Sequence, residues 1–375
     1  MEKKVIVAGH ACLDITPVFP KSKSVTDLND ILCPGKLVQM DGVDIHTGGL
    51  VSNTGLAMKL LGADVSLMAK IGKDAFGNIL RGIYKEYGAA YELIEDEESS
   101  TSYSIVLAVP GIDRLFLHDP GANETFSFED IPWGKISDAA LFHFGYPTLM
   151  KKMYEHEGAE LVRMMKYLKE LGVATSMDMA AIDAESPAGR ADWRKILSNV
   201  LPYVDFFVPS IEELCFMLDR AKYEDWVKRA GGKDITSILD IEKDIKPLAK
   251  ECIQMGARVL LIKCGAPGFY YFTPSESELA VIGDRIELPP EDWATREGFE
   301  NSYVPGEVLS GTGAGDTTVA AFLTAMLKGY SFDMCIHLAS ATGASCVEAY
   351  DAISGLKPFD VLEEKIKTWK KRGQA

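Results

Sequence analysis

Nine residues, Ser310-Gly311-Thr312-Gly313-Ala314-Gly315-Asp316-Thr317-Thr318, carry the clearest chemical potential in the chain. Glycines at alternate positions let a backbone come close to a ligand. The run that follows, Val319-Ala320-Ala321-Phe322-Leu323, is apolar and predicts a buried helix. The first N–H groups of such a helix have no partner within it, and its dipole places positive potential on the loop. An anion such as a phosphate suits that place. Asp316 at the helix start also reads as a plain N-cap, yet a cap needs no three glycines before it. The segment is no Walker A loop, because Gly-x4-Gly-Lys-Ser/Thr occurs nowhere. It also lacks the strand–GxGxxG spacing of a dinucleotide fold.

Three further segments hold polar groups beside glycines. In Gly48-Gly49-Leu50-Val51-Ser52-Asn53-Thr54 a double glycine leads into a helix, and Asn53 offers both a donor and an acceptor. A turn followed by an Asn in the first helical turn explains the same residues. Gly72-Lys73-Asp74-Ala75-Phe76-Gly77 reads as a strand-to-helix turn with Asp74 as cap, a structural device. Gly9-His10-Ala11-Cys12-Leu13-Asp14 puts a carboxylate just past the first strand, at the edge where open parallel sheets bind ligands.

The elements that must position these groups follow an α/β pattern. Short apolar runs at 5–9, 65–69, 140–144, 174–177, 206–208, 259–263 and 269–273 read as strands. Helical spacing appears at 52–61, 75–87, 157–171, 193–201, 245–255, 316–327 and 332–346. That alternation predicts a mainly parallel central sheet with helices on both faces. Two β-rich pieces, 15–47 and 100–123, stand outside it. The first has strand-like runs at 36–40 and 43–45. The second is a hairpin of 103–109 and 114–118 around Pro110-Gly111-Ile112-Asp113. Together they predict a small β-sheet lid, with 1–14, 48–99 and 124–375 forming the large domain. The stretch 284–305, with Trp293 and Tyr303, reads as a solvated loop. Apolar residues alternate in the lid pieces, among them Leu37, Val43, Tyr103, Ile105 and Leu107. One lid face is then expected over an acceptor and the other against a second copy, giving a two-fold homodimer. Arg114 reads as a solvated turn residue.

Composition bounds the partners. The 375 residues are 47% hydrophobic, so a large core forms without disulfides. Lys and Arg number 39 against 55 Asp and Glu, a net charge of −16. Such a chain is a poor general binder of nucleic acid or anionic membrane. Seven cysteines make no CxxC pair and six histidines form no cluster, so no zinc site is expected. No secretory leader and no apolar run of spanning length is evident, which reads as a cytoplasmic protein.

The ordered motifs resemble the ribokinase-like (PfkB) family of carbohydrate and nucleoside kinases. Gly48-Gly49 with Asn53, then Gly72-x-Asp74-x-x-Gly77, resemble its N-terminal signature, and Gly311 to Thr317 its C-terminal one. Pro209-Ser210-Ile211-Glu212-Glu213 falls where the family has Pro-Asn-x-x-Glu. Lys263-Cys264-Gly265-Ala266-Pro267-Gly268 matches a strand-turn that lines the nucleotide. The resemblance implies an ATP- and Mg²⁺-dependent kinase acting on a hydroxyl of a small sugar-like acceptor. It implies Asp316 as the base and the N–H groups of Gly313, Ala314 and Gly315 as the cradle for the transferring phosphoryl group. Asp14, Gly49 and Asn53 would hold acceptor hydroxyls. Thr312, Gly265 and Gly268 would border ATP, and Glu213 would place Mg²⁺ through water.

Four positions depart from the pattern. Ser210 replaces Asn and shortens one polar contact. Ser310-Gly311 replaces Asp-Thr in a segment that contributes to a monovalent-cation site in relatives, which leaves potassium dependence open. Leu50 stands where ribokinases carry Lys, an argument against ribose as the default substrate. A nicotinamide oxidoreductase is disfavoured by the missing fingerprint. A silent binding protein on the kinase fold is disfavoured by the presence of Asp316 and Glu213.

Overall fold

The computed structural model describes residues 3–20, 31, 33–110 and 115–373. Its strands are β1 (Val5–Gly9), β2 (Cys12–Val18), β3 (Gly42–Gly48), β4 (Val65–Gly72), β5 (Ala90–Asp96), β6 (Tyr103–Leu107) and β7 (Leu115–Asp119). They continue as β8 (Leu141–Gly145), β9 (Ala174–Asp178), β10 (Phe206–Phe207), β11 (Val259–Lys263), β12 (Gly268–Phe272) and β13 (Glu297–Asn301).

Nine of these form one sheet in the order β13-β12-β11-β10-β9-β8-β1-β4-β5. The pairs from β5 through to β11 are parallel, while β12 and β13 add an antiparallel edge. β1, β8 and β9 are buried along their whole length, as strands covered on both faces must be. Val5 and Val7 face a core built with the helices Gly49–Leu60, Ala314–Leu327 and Phe332–Cys346. Ile6 and Ala8 face the other core, built with Ala159–Glu170, Trp193–Val200, Ile211–Leu218 and Lys246–Gln254. The chain leaves β1 toward β4 and β5 on one side and resumes at β8 on the other. β1 therefore sits at the switch of winding direction, where a crevice opens at the carboxyl ends of the strands.

The remaining four strands make a separate sheet in the order β3-β2-β6-β7. Its two halves are the β-rich pieces anticipated from sequence, but their strands differ. β2 already opens at Cys12, and residues 36–40 form no strand; Leu37 is exposed in irregular chain. Leu13-Asp14-Ile15-Thr16 alternates as a half-buried strand does, and Pro17, a residue that demotes a strand, masked it. Residues 111–114, including Arg114, lie outside the described residues. Register aligns Ile45, Ile15, Ile105 and Leu117 in one row across all four strands. Alternation puts Val43, Leu107 and Leu115 on that same face.

The stretch 284–305 is not a solvated loop. It contains a helical turn, Pro290–Trp293, and the edge strand β13. Trp293 and Tyr303 are buried, the former against the rings of Phe322 and Phe332. Among the described residues, three helices of eight residues or more were not anticipated: Ile211–Leu218, Arg220–Ala230 and Phe359–Ile366. Among the described residues no helix is long and apolar enough to cross a membrane.

Candidate active site

Four of the large sheet's strands deliver polar groups to the same crevice. Tyr146 follows β8, Asp178 ends β9, Ser210 to Glu213 follow β10, and Lys263 ends β11. Opposite them lies the start of the helix Ala314–Leu327.

Asp316 is the third residue of that helix, not its cap. Gly313 occupies the cap position with φ +75° and contributes no side-chain acceptor. A side chain on Gly313 would be strained there and would bring its Cβ within 2.2 Å of the Ala352 Cβ. Asp316 is freed for other contacts. Asn53 donates to its Oδ2 at 2.9 Å, and the Tyr146 hydroxyl donates to its Oδ1 at 2.7 Å. The carboxylate is buried, and burial raises its pKa, with the charge of Lys263 and the hydroxyl of Tyr146 pulling the other way. Each oxygen still has a lone pair to spare, so the group can accept a proton.

The loop before the helix turns its backbone toward the site. Thr312 N–H donates to Ser310 Oγ at 3.1 Å. Ala314 and Gly315 lie in the first helical turn, where N–H groups lack the regular acceptor four residues back; Ala314 N–H reaches only the Gly311 carbonyl, at 3.4 Å. With a bare glycine as cap, that positive end is available to an anion.

Lys263 reaches across to the same helix. Its ammonium contacts both oxygens of Asp178 at 2.6 Å. Asp178 is fully buried, and burial pushes its carboxyl up despite that contact. Burial also works against the Lys263 charge, but Asp178, Glu213 and Asp316 together hold its pKa above the ordinary lysine value. Glu213 closes a capping box: its Oε2 accepts from Ser210 N–H at 2.8 Å, and Ser210 Oγ accepts from Glu213 N–H at 3.3 Å. Ser210 is thus a helix cap.

On the other side, Gly49 starts the helix Gly49–Leu60 hard against the chain after β1. A Cβ there would meet His10 Nδ1 and the His10 carbonyl at 2.6 Å. Gly48 leaves similar room for the Asp14 carboxylate, which lies on β2 opposite His46. A cavity of about 830 Å³ opens between the small sheet and this helix start, with Asp14, Asp44, His46, Asn53 and Thr312 in its lining. Gly265 and Gly268 sit outside that lining, in the turn joining β11 to β12, where Cys264 N–H donates to the Gly268 carbonyl at 2.8 Å. Asp74 is the cap expected of it, accepting from Gly77 N–H and from Thr101.

Tyr146 and Asp178 were not singled out in the sequence, and Lys263 stood there only as the first residue of a strand-turn motif, with no role of its own. Tyr146 gave no signal, because its left-handed backbone (φ +63°) follows from the turn after β8. Asp178 did give one, since it is an acid at the carboxyl end of a buried strand.

A helix start open to an anion, beside a buried carboxylate able to take a proton, is an arrangement suited to moving a phosphoryl group onto a hydroxyl. The class is an α/β phosphotransferase. Residues 2–358 match the family described as pfkB family carbohydrate kinase, and the chain belongs to that family. An uncharacterized sugar kinase of Archaeoglobus fulgidus is 24% identical over 302 residues, 80% of this chain and 98% of the relative. Two solved structures share the fold. The ribokinase of Arabidopsis thaliana complexed with ribose and ATP aligns with TM-score 0.71 and 19% identity over 98% of this chain and 99% of that one. An Escherichia coli ribokinase-type protein in complex with ATP and Mg²⁺ aligns with TM-score 0.70 and 18% identity over 97% and 99%.

Proposed function

We propose that this protein is an ATP-dependent kinase that transfers the γ-phosphoryl group to a hydroxyl of a small sugar-like acceptor, with Asp316 as the base. The observation that carries this reading is the placement of Asp316. It lies in the first turn of a helix whose cap, Gly313, supplies no side-chain acceptor, with both oxygens held by Asn53 and Tyr146. The ribose, ATP and Mg²⁺ bound by the two fold relatives support the same donor and acceptor class.

Asp14, Gly49 and Asn53 take the acceptor hydroxyls. Asn53 spends one N–H on Asp316, which leaves its second N–H and its carbonyl for the acceptor. The N–H groups of Gly313, Ala314 and Gly315 receive the transferring phosphoryl group, with Thr312 and the Gly265–Gly268 turn bordering the nucleotide. The acceptor oxygen bonds to phosphorus as the bond from phosphorus to the bridging oxygen breaks. Its proton passes to Asp316, and ADP leaves.

Mg²⁺ fits as an ion carried on the phosphates. Among the described residues no three His, Cys, Asp or Glu side chains stand in a metal-holding group. One carboxylate at the crevice, Glu213, nevertheless offers the hard oxygen donor this ion takes. Glu213 would hold it through water, and the ion would neutralise charge on the phosphoryl oxygens.

The small sheet acts as a lid over the cavity, excluding water from the acceptor. Its other face pairs with a second copy. The row Ile45–Ile15–Ile105–Leu117 supports this, because Ile45 and Leu117 are 39% and 51% exposed in the single chain. Among the described residues the cysteines form no disulfide and six of them are buried, which supports a reducing compartment, the cytoplasm.

The test is ADP release from ATP with a panel of sugars, sugar acids, polyols and nucleosides. Turnover confined to one acceptor class supports the reading and names the acceptor. No ADP release with any of them overturns it.

A further inference from the structure

We infer that Lys263 is a catalytic residue in the transfer step, a fixed ammonium that contacts the migrating phosphoryl group. The inference rests on the proposed kinase reading and adds a residue to it.

Three observations place the ammonium there. Lys263 ends β11 at the carboxyl edge of the sheet, and its side chain crosses to the helix start at Gly315. A Cβ built on Gly315 would lie 3.4 Å from Lys263 Cδ and 3.8 Å from its Nζ. The ammonium thus stands beside the first helical turn that receives the anion. Second, it is pinned: Asp178 accepts from it through both oxygens at 2.6 Å, and the Lys263 side chain is only 13% exposed. Third, it faces an excess of negative charge. Asp178, Glu213 and Asp316 all act on it, three acids against one cation.

A buried Lys–Asp pair on its own is a poor stabiliser, because desolvating two charges offsets most of their attraction. Its position at the phosphate end of the site explains what the pair is for. An oriented ammonium in a low-dielectric site stabilises charge that develops on phosphoryl oxygens without having to reorganise. Lys263 stays protonated throughout: the acceptor proton goes to Asp316, the new O–P bond forms, and the old P–O bond to ADP breaks. Asp178 is the positioning residue that holds Lys263 in line.

The experiment compares Lys263→Met, Lys263→Arg and the double variant Asp178→Asn/Lys263→Met with the wild type. Steady-state ADP release is measured, together with calorimetric binding of ADP and of a non-hydrolysable ATP analogue. Lys263→Met should lower kcat by about 100-fold or more, in the range of one lost electrostatic donor. Binding of the analogue should weaken relative to ADP, since only the analogue carries the γ-phosphate. Lys263→Arg keeps the charge and should retain part of kcat. The double variant leaves no unpaired buried charge, so it folds even where the single variant does not. A merely structural pair predicts that the double variant recovers wild-type kcat, and that recovery overturns the inference. So does a Lys263→Met enzyme within threefold of wild type. A wild type that releases no ADP with any acceptor is a different failure, that of the kinase reading itself.

Discussion

The phenolic hydroxyl of Tyr146 donates to Oδ1 of Asp316 at 2.7 Å across 170 residues of sequence, joining the turn after β8 to the first turn of the glycine-preceded helix. This bond and the burial of Asp316 oppose each other. Burial raises the carboxyl pKa, and the hydroxyl lowers it by preferring the ionised form. A base must be ionised to work, so activity falls as the pH drops through the raised pKa. The acid limb of kcat/KM is expected above the ordinary carboxylate range. Tyr146→Phe removes the opposing bond and should move that limb to higher pH. A pH–rate profile checks this, and an unmoved or lowered limb would show that Tyr146 does not tune the base.

Asp316→Asn should fold and bind ATP while turnover falls by about two to four orders of magnitude, the usual contribution of a positioned base. The cap of the helix is Gly313, so the substitution removes no capping contact. Thermal melting, calorimetry with ATP and ADP release measure the three quantities. Near-wild-type turnover would remove Asp316 from the role.

Chelating Mg²⁺ should abolish ADP release, because the phosphoryl oxygens then lose their divalent counter-charge. Glu213→Gln keeps an oxygen able to accept from Ser210 N–H, so the helix start survives. Its expected effect is a higher Mg²⁺ concentration for half-maximal rate. An unchanged Mg²⁺ titration would detach Glu213 from the metal.

Ile105→Asp places a charge in the middle of the apolar row on the small sheet. The expected outcome in light scattering is a shift from dimer to monomer at micromolar concentration. A wild type that is already monomeric rejects the pairing outright.

How much of this was legible in the sequence depends on which signal each residue left. β1 and β11 could be read because strands buried on both faces are near-continuous apolar runs, while β8, broken by His143, and β9, broken by Thr175 and Ser176, were carried by their alternation with helices. β13 could not, since Glu297-Gly298-Phe299-Glu300-Asn301 carries the composition of a loop and is held as a strand only by pairing with β12. Ile211–Leu218 was obscured by its own start, where Pro209 and Ser210 read as a motif before they read as a cap. At the site, the loop through Gly313 was recognisable because close approach demands glycine. Lys263 was quoted within a motif yet left without a role. Its partner Asp178 lies 85 residues away, and only the sheet order, which leaves the short β10 alone between β9 and β11, brings them together.

Asp14 and Asn53 line the same cavity from different bodies, Asn53 from a helix on the large sheet and Asp14 from β2 of the small one. β2 departs from β1 after only His10 and Ala11, so any swing of the small sheet has its pivot there. At about 3.4 Å per residue, Asp14 stands roughly 7 Å along the lever from Cys12, while Val18 stands roughly 20 Å out. A swing of about 20° would carry the far end of β2 by about 7 Å but Asp14 by only a third of that, by the same spacing. On the proposed reading, the mouth can gape while Asp14 and Asn53 stay nearly in register, so an acceptor would be selected before the site shuts rather than by the shutting.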